Sequence, residues 1–422
     1  DFTFSSSEPI GGTFECELTG PGQSGGFTAC NLTKTYTGLA DGEYTFSVRA
    51  IDTVGNTDAT PATSTFTLVF VNEIFTDWTT VSAGGSHTCG VRSTGALYCW
   101  GDDANGQAGN GAITGNVTVP KQITSVTDWK TVSAGGTHTC AIRSNGSLYC
   151  WGNDSDGQVG NGASFGSTTN PVQITSATDW KTVSAKGNDT CAIRSTGKLY
   201  CWGDDGVGQV GNGSITGDVT SPAQITSATD WKAVAVGGNH TCAVRGKLYC
   251  WGNDGFGQVG NGSITGNVTS PAQITSATDW TAVAARGNHT CAVRGKLYCW
   301  GDDGFGQVGN GATTGNVTSP TQITTATTWT AATAGGSHTC AVRGALYCWG
   351  DDGVGQLGNG ATTGNVTSPA QITAATDWKS VSAGGHTCAI RSIGKLYCWG
   401  SDSAGQVGNG ATTGNVTSPR QV

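Results

Sequence analysis

His138-Thr139-Cys140-Ala141-Ile142-Arg143-Ser144-Asn145-Gly146-Ser147-Leu148-Tyr149-Cys150-Trp151-Gly152 is the stretch on which the fold turns. Closed as a β-hairpin over Ser144-Asn145-Gly146, it sets Cys140 opposite Cys150, Ala141 opposite Tyr149, Ile142 opposite Leu148 and Thr139 opposite Trp151. Alternation then puts Cys140, Ile142, Leu148 and Cys150 on one side, and Thr139, Ala141, Tyr149 and Trp151 on the other. Both sides carry bulk, so the strand pair is expected to be buried on both faces.

The same segment recurs seven times after residue 77. The cysteine separation is ten between Cys89 and Cys99, Cys140 and Cys150, Cys191 and Cys201, and Cys388 and Cys398. It is eight between Cys242 and Cys250, Cys291 and Cys299, and Cys340 and Cys348. A hairpin shortened by two residues keeps every side chain on its original face, whereas a loss of one would invert the pattern. The hairpin reading survives this test.

Outward from the hairpin, each copy starts at a tryptophan: Trp78, Trp129, Trp180, Trp231, Trp280, Trp329 and Trp378. The period is therefore 51 residues for three copies and 49 for three more. Within one copy, strands are expected over residues 129–134, 139–143, 148–151 and 173–175, the last after a long Gly, Asn and Thr loop. A period near 50 with four short strands is the pattern of a propeller blade, and seven copies suffice to close a ring. The expected architecture is all-β: a seven-bladed β-propeller over residues 77–422, an apolar linker over 71–76, and a small β-sandwich over 1–70.

Sixteen cysteines at pairable spacings, none left over, indicate an oxidising compartment and hence an extracellular or cell-surface protein. The rival reading, zinc, needs ligand pairs two to four residues apart and two pairs that converge, whereas here each pair sits on its own blade. A formal charge of -8 without a block of Lys or Arg argues against nucleic acid and anionic membrane as partners. No apolar run is long enough to span a bilayer. The chain begins at Asp1 with neither an initiator Met nor a signal peptide, as a processed form or a fragment would.

Residues 1–70 contain no Trp and alternate as strands between Gly, Pro and Asn punctuation, with Cys16 and Cys30 placed to pair. Ser5-Ser6-Ser7-Glu8-Pro9, Phe14-Glu15-Cys16, the run from Tyr36 to Asp52 and Gly55-Asn56-Thr57-Asp58 resemble the immunoglobulin-like modules of exported bacterial proteins. Those modules open with a strand before the equivalent of Phe2-Thr3-Phe4, and here that strand is missing. The resemblance thus implies an exposed sheet edge at Phe2 and Phe4, which a strand of another molecule could fill.

Val132-Ser133-Ala134-Gly135-Gly136-Thr137-His138, then Leu148-Tyr149-Cys150-Trp151-Gly152-Asn153-Asp154, then Gly157-Gln158-Val159-Gly160-Asn161-Gly162 resemble the repeat of the regulator of chromosome condensation family, seven times in tandem. That family's fold is a seven-bladed propeller, which serves unrelated tasks. Some exported members bind or inhibit other proteins, and the namesake is a guanine nucleotide exchange factor, a nuclear activity at odds with an acidic, oxidised chain.

No catalytic or cofactor site stands out. His87, His138, His240, His289, His338 and His386 recur at one blade position, with Asp189 in the third copy. Equivalent positions on neighbouring sheets are about 10 Å apart, too far to share one ion, and each imidazole is expected to bond a neighbouring turn. The Asp-rich loops lack the ligand alternation and terminal Glu of a helix-loop-helix calcium site. Residues that break the repeat are the candidates for interaction: Lys186 and Arg286 in place of Gly, Phe165 in an altered loop, and Phe256 and Phe305 at loop tips.

Thirteen Asn-X-Ser/Thr sequences, among them those at Asn116, Asn267, Asn316, Asn365 and Asn415, offer glycan acceptors to a host that uses them, and the abundant Thr hydroxyls offer others. The second-to-third turns place Arg92, Arg143, Arg194, Arg245, Arg294, Arg343 and Arg391, with Lys198, Lys247, Lys296 and Lys395, on one face of the disc, where Asp77, Asp128, Asp179, Asp230, Asp279 and Asp377 are placed to neutralise them locally. The third-to-fourth loops place Asp102, Asp103, Asp154, Asp204, Asp205, Asp254, Asp302, Asp303, Asp351, Asp352 and Asp402 on the other. Opposite charge on opposite faces would favour head-to-tail stacking. The expected function is a non-enzymatic structural, adhesive or filament-forming surface protein, with a secreted protein-binding or inhibitor propeller as the alternative.

Overall fold

The computed structural model describes the chain apart from residues 1, 6–11, 37–38, 40–41, 69–74 and six single loop positions, 114, 216, 265, 314, 363 and 413. The linker falls largely outside the described residues. Every regular element described is a β-strand, and the chain divides into two compact units, residues 1–73 and 74–422.

In the first unit, β1 (Phe2–Thr3) pairs with β5 (Thr33–Lys34). β2 (Thr13–Gly20), β3 (Gln23–Ser24), β6 (Gly42–Ile51) and β7 (Ala62–Leu68) form a sheet in the order β3-β2-β6-β7, and β4 (Thr28–Cys30) also pairs with β2. Cys16 is bonded to Cys30 across that pairing. The side chains of Phe2 and Phe4 pack into the aromatic core of this unit, and among the described residues β1 is paired on one edge only. Phe2 stacks on Phe46 at 4.2 Å and Phe4 lies edge-on to Phe14 at 5.2 Å, because aromatic rings gain more by burial against Cys16, Leu18, Tyr44 and Phe46 than by exposure.

The second unit is seven four-stranded antiparallel sheets, each built from consecutive strands with the order inner, second, third, outer. The second blade has Trp129–Ala134, His138–Arg143, Leu148–Asn153 and Ser167–Gln173. Its hairpin register is Thr139↔Trp151, Cys140↔Cys150, Ala141↔Tyr149 and Ile142↔Leu148, as read from the sequence.

Each hairpin carries its own disulfide. Cys89 is bonded to Cys99, Cys140 to Cys150, Cys191 to Cys201 and Cys388 to Cys398 in the four longer copies. Cys242 is bonded to Cys250, Cys291 to Cys299 and Cys340 to Cys348 in the three shorter ones. In every pair the Cα atoms are 4.1 Å apart, the close approach of directly facing strand residues. In the short hairpins the ladder continues to Arg245↔Lys247, so Gly246 alone turns the chain, with a φ of 73° open to glycine.

The outer strand differs from the expectation. It comprises Ser167–Gln173 rather than residues 173–175, and in the other blades it carries Pro inside Val-Thr-Ser-Pro-Ala-Gln or its variants. A strand bonded on one side only can hold a Pro whose missing N–H faces away from the ladder.

Each seam between blades interleaves two unlike faces. Cys140, Ile142, Leu148 and Cys150 of the second blade pack on Trp180, Ala192 and Trp202 of the third. At the closing seam, Cys388, Ile390, Leu396 and Cys398 pack on Trp78 and Trp100 of the first blade, with Val422 beside them. A polar lock repeats at all seven seams: the Gln carbonyl of each long loop accepts from a Thr hydroxyl and a Trp indole of the next blade. Gln107 O receives Thr139 Oγ1 at 2.8 Å and Trp151 Nε1 at 3.0 Å. The ring closes with Thr88 and Trp100 on Gln406 O. No strand is exchanged among the described residues, so closure is made by packing, by these locks and by further hydrogen bonds across the seam, such as Ala83 N to Ser382 Oγ at 2.9 Å.

Candidate functional site

Strand direction gathers the inner-to-second turns and the third-to-outer loops on one face of the disc, and the hairpin turns on the other. The hairpin face is largely charge-neutralised. Arg92 bonds Asp77 at 2.7 Å, Arg143 bonds Asp128 at 2.7 Å, Arg194 bonds Asp179 at 2.6 Å, and Arg245, Arg294 and Arg391 likewise meet Asp230, Asp279 and Asp377. Arg343, whose blade has Thr328 in place of that Asp, donates to Tyr347 Oη instead.

On the loop face, Asp103, Asp154, Asp205, Asp254, Asp303, Asp352 and Asp402 are buried. Each accepts the backbone N–H five residues on, as from Ala108 to Asp103 at 2.9 Å. Burial raises their carboxyls above the usual range. Seven of the acids on this face are therefore loop caps and six of the seven arginines opposite are paired, which reduces the charge that each face presents.

The loop face carries an apolar arc instead. Eight large apolar side chains are exposed among the described propeller residues, and six lie on its long loops: Ile113, Phe165, Ile215, Phe256, Ile264 and Phe305. They occupy the first five blades in succession. In the last three blades the position equivalent to Ile264 holds Thr313, Thr362 and Thr412. Phe165 is 82% exposed, and nothing in the loop hydrogen bonding calls for these side chains. Sequence reading found the three phenylalanines and missed the isoleucines, whose signal was an Ile/Thr split between the two halves of the ring.

At the centre of the same face lie the inner-to-second turns. In five blades the turn opens with Gly-Gly, and blade-to-blade bonds such as Gly85 N to Gly135 O (2.9 Å) and Gly136 N to Gly187 O (3.1 Å) run around the axis. A Cβ on Gly135 would sit 2.5 Å from the His138 ring, so this turn form excludes side chains. The third and fifth blades rebuild it: the ladder extends to Lys186↔Asp189 and Arg286↔His289, over turns with Gly187 and Gly287 at φ near 51° and 52°.

Lys186 and Arg286, expected as parts of a surface patch, point inward. Lys186 Nζ donates to Ala83 O and Ala134 O, each at 3.0 Å, and Arg286 Nη1 donates to Ala83 O at 3.0 Å. Arg286 is 8% exposed. Burial holds both cations below their ordinary pKa, Lys186 well below and Arg286 at about 10. A long side chain at the inner end of a blade has no other space than the axis.

The histidines serve the seams. His87 Nε2 lies 2.8 Å from Thr139 Oγ1 of the next blade, and His138, His240, His289 and His338 repeat the contact, with His386 meeting Thr88 across the closing seam. The Thr hydroxyl gives its proton to the Gln carbonyl, so the ring donates from Nε2. Burial pushes His138, His240, His338 and His386 down to about 3 and His289 to about 4. The partner is a threonine across the seam rather than a turn. Asp189 breaks the series: both its carboxylate oxygens are buried without a partner, and burial beside Asp204 and Asp205 raises its pKa well above the carboxylate range. Among the described residues, no three His, Cys, Asp or Glu side chains converge to hold a metal ion.

The comparisons with known proteins agree on this architecture. The chain matches the RCC1-like domain model over residues 37–341 and the regulator of chromosome condensation (RCC1) repeat over 343–390 and 378–406. It is 36% identical over 169 residues to the ultraviolet-B receptor UVR8 of Arabidopsis thaliana, covering 39% of this chain and 38% of that protein. It is 29% identical over 140 residues to the human E3 ubiquitin-protein ligase HERC2, covering 32% of this chain and 3% of that protein. The matches thus span well under half of these relatives. Among solved structures, yeast RCC1 (Prp20) bound to Kap60 superposes with a TM-score of 0.69 at 22% identity, over 77% of this chain and 83% of that one. Human WBSCR16 gives 0.66 at 17%, over 90% and 100%. With seven blades of one repeat locked Gln to Thr and Trp around a closed ring, and a family model matched over most of its length, this chain belongs to the RCC1-like domain family.

Proposed function

We propose that the chain is a non-enzymatic, protein-binding propeller of an extracellular or cell-surface compartment, whose partner docks on the loop face. The observation that carries the reading is the arc of Ile113, Phe165, Ile215, Phe256, Ile264 and Phe305, exposed on five consecutive blades. Large apolar side chains exposed on one face of a folded chain are a candidate interaction surface. Relatives with described protein partners, yeast RCC1 with Kap60 and Prp20p with Gsp1p and histones, favour a protein ligand. Eight disulfides and no free cysteine support the oxidising compartment.

In this reading residues 1–70 are an immunoglobulin-like module, 71–76 a linker and 77–422 the propeller. The paired sheets, aromatic core and Cys16–Cys30 bond support the first assignment. The surface role is adhesive or structural, and glycans on the exposed Asn116, Asn267, Asn316, Asn365 and Asn415 are compatible with it. Pairing of six of the seven Arg residues with Asp weakens the case for charge-driven stacking into filaments.

The test is affinity capture from the host's surface fraction with wild type and a Phe165→Ser, Phe256→Ser, Phe305→Ser triple variant, followed by hydrogen-exchange mapping of the captured complex. Loss of a specific partner in the variant at unchanged melting temperature, with protection on the long loops, supports the proposal. Equal capture, or protection confined to the hairpin face, removes it.

A further inference from the structure

We propose that the axial mouth of the propeller, on the loop face, binds a small oxyanion between Lys186 and Arg286. Three observations lead there.

The two cations enter from different blades. Lys186 reaches from the third to carbonyls of the first and second, and Arg286 reaches across the axis from the fifth to the first, so that both donate to Ala83 O. Each also stands where the other five blades have Gly84, Gly135, Gly237, Gly335 and Gly384. A side chain in that Gly-Gly turn would strike a histidine ring, as Gly335 shows with a Cβ placed 2.3 Å from His338 Cε1. Both blades adopt a different turn to admit the cation.

No acid answers these charges. Among the described residues neither group has a carboxylate within salt-bridge distance. Arg286 is buried and Lys186 partly so. Two positive side chains held together out of bulk water need a counter-charge, and neutral carbonyl dipoles supply only part of it.

Donors are left over. An ammonium has three N–H groups and a guanidinium five. Two of the first and one of the second are bonded to protein here. Arg286 Nε and Nη2 are not among the buried side-chain atoms left without a partner. A planar fork beside a point charge matches an anion with several oxygen acceptors, phosphate, sulfate or a carboxylate, better than it matches a halide. The site stands on the axial geometry alone and does not depend on what the apolar arc binds.

The experiment is thermal melting and isothermal calorimetry of the full chain with sodium phosphate, sodium sulfate or sodium acetate exchanged against sodium chloride at fixed ionic strength, which removes general screening. The wild type is expected to bind phosphate or sulfate saturably with a rising melting temperature. The double variant Lys186→Gly, Arg286→Gly, which installs the residue of the other blades, weakens that binding by about a hundredfold or more. Lys186→Met with Arg286→Met repeats the test without altering turn flexibility. A response to acetate as well assigns a carboxylate, free or on a partner's side chain, as an acceptable ligand. No response to acetate restricts the site to phosphate and sulfate. A wild type that shows no saturable response to any of the three, or variants that respond like wild type, overturns the proposal and leaves the two side chains as an axial plug.

Discussion

Lys186 and Arg286, from the third and fifth blades, share one acceptor: the carbonyl oxygen of Ala83, at 3.0 Å from each. Two like charges that share one acceptor repel each other, before any desolvation cost. In anion-free buffer Lys186→Met is therefore expected to stabilise the protein by roughly 1–3 kcal/mol, read as a rise in melting temperature. A fall in melting temperature in chloride-free, oxyanion-free buffer would show that the carbonyl bonds outweigh the repulsion.

The seam between the third and fourth blades lacks the His-to-Thr bond found elsewhere, since Asp189 leaves both oxygens without partners and Thr241 keeps only its bond to Gln209 O. Asp189→His should restore the contact, because Arg286 and His289 already coexist in the same turn form. A gain of about 1–2 kcal/mol in denaturant unfolding is expected, from removal of a buried orphan carboxylate and addition of one hydrogen bond.

Acid should unfold the ring early. The buried histidines titrate near 3 to 4, against 6.5 in the unfolded chain, so the unfolded state takes up protons first. Their contribution is complete above the unfolded value and is lost as pH falls from about 6.5 toward 4. At pH 5.5 each histidine costs about 1 kcal/mol relative to pH 7. Melting temperatures should drop steeply across that window, and His138→Gln should make the slope shallower. A flat profile between pH 7 and 5 would mean that the imidazoles are not buried as neutral donors.

The disulfides should differ in access. Every blade cysteine is buried, whereas Cys30 of the first unit is partly exposed. Under native conditions with dithiothreitol and an alkylating agent, Cys16 and Cys30 are expected to be modified first by mass spectrometry, with the seven blade pairs following only on unfolding. Removing one blade pair, as in Cys191→Ala with Cys201→Ala, should cost about 2–3 kcal/mol for so short a loop.

Gly109 has a φ of 74°, and a Cβ there would lie 2.4 Å from Trp151 Nε1 of the next blade. Gly115, at 85°, faces open space. Gly109→Ala should therefore cost about 2–4 kcal/mol, through overpacking of the seam added to backbone strain, and Gly115→Ala about 1 kcal/mol. Equal costs would show that the indole can move aside.

The hairpin register, the blade count and the pairing of every propeller cysteine were legible in the chain alone, because they follow from local spacing: alternation along a strand, a two-residue change in hairpin length, and a period repeated seven times. What the breaks in that period do was not legible. Lys186 and Arg286 looked like surface drift until the ring brought residues of the first, second, third and fifth blades to one axis. The Asp rings looked like surface charge until the loops folded over their carboxylates, whereas the Asp partners of the Arg ring were already legible on the same face. A repeat specifies each blade through contacts within reach of its own backbone. Whether a given side chain faces water, a seam or the axis depends on atoms contributed by other blades, and only closure of the ring sets those.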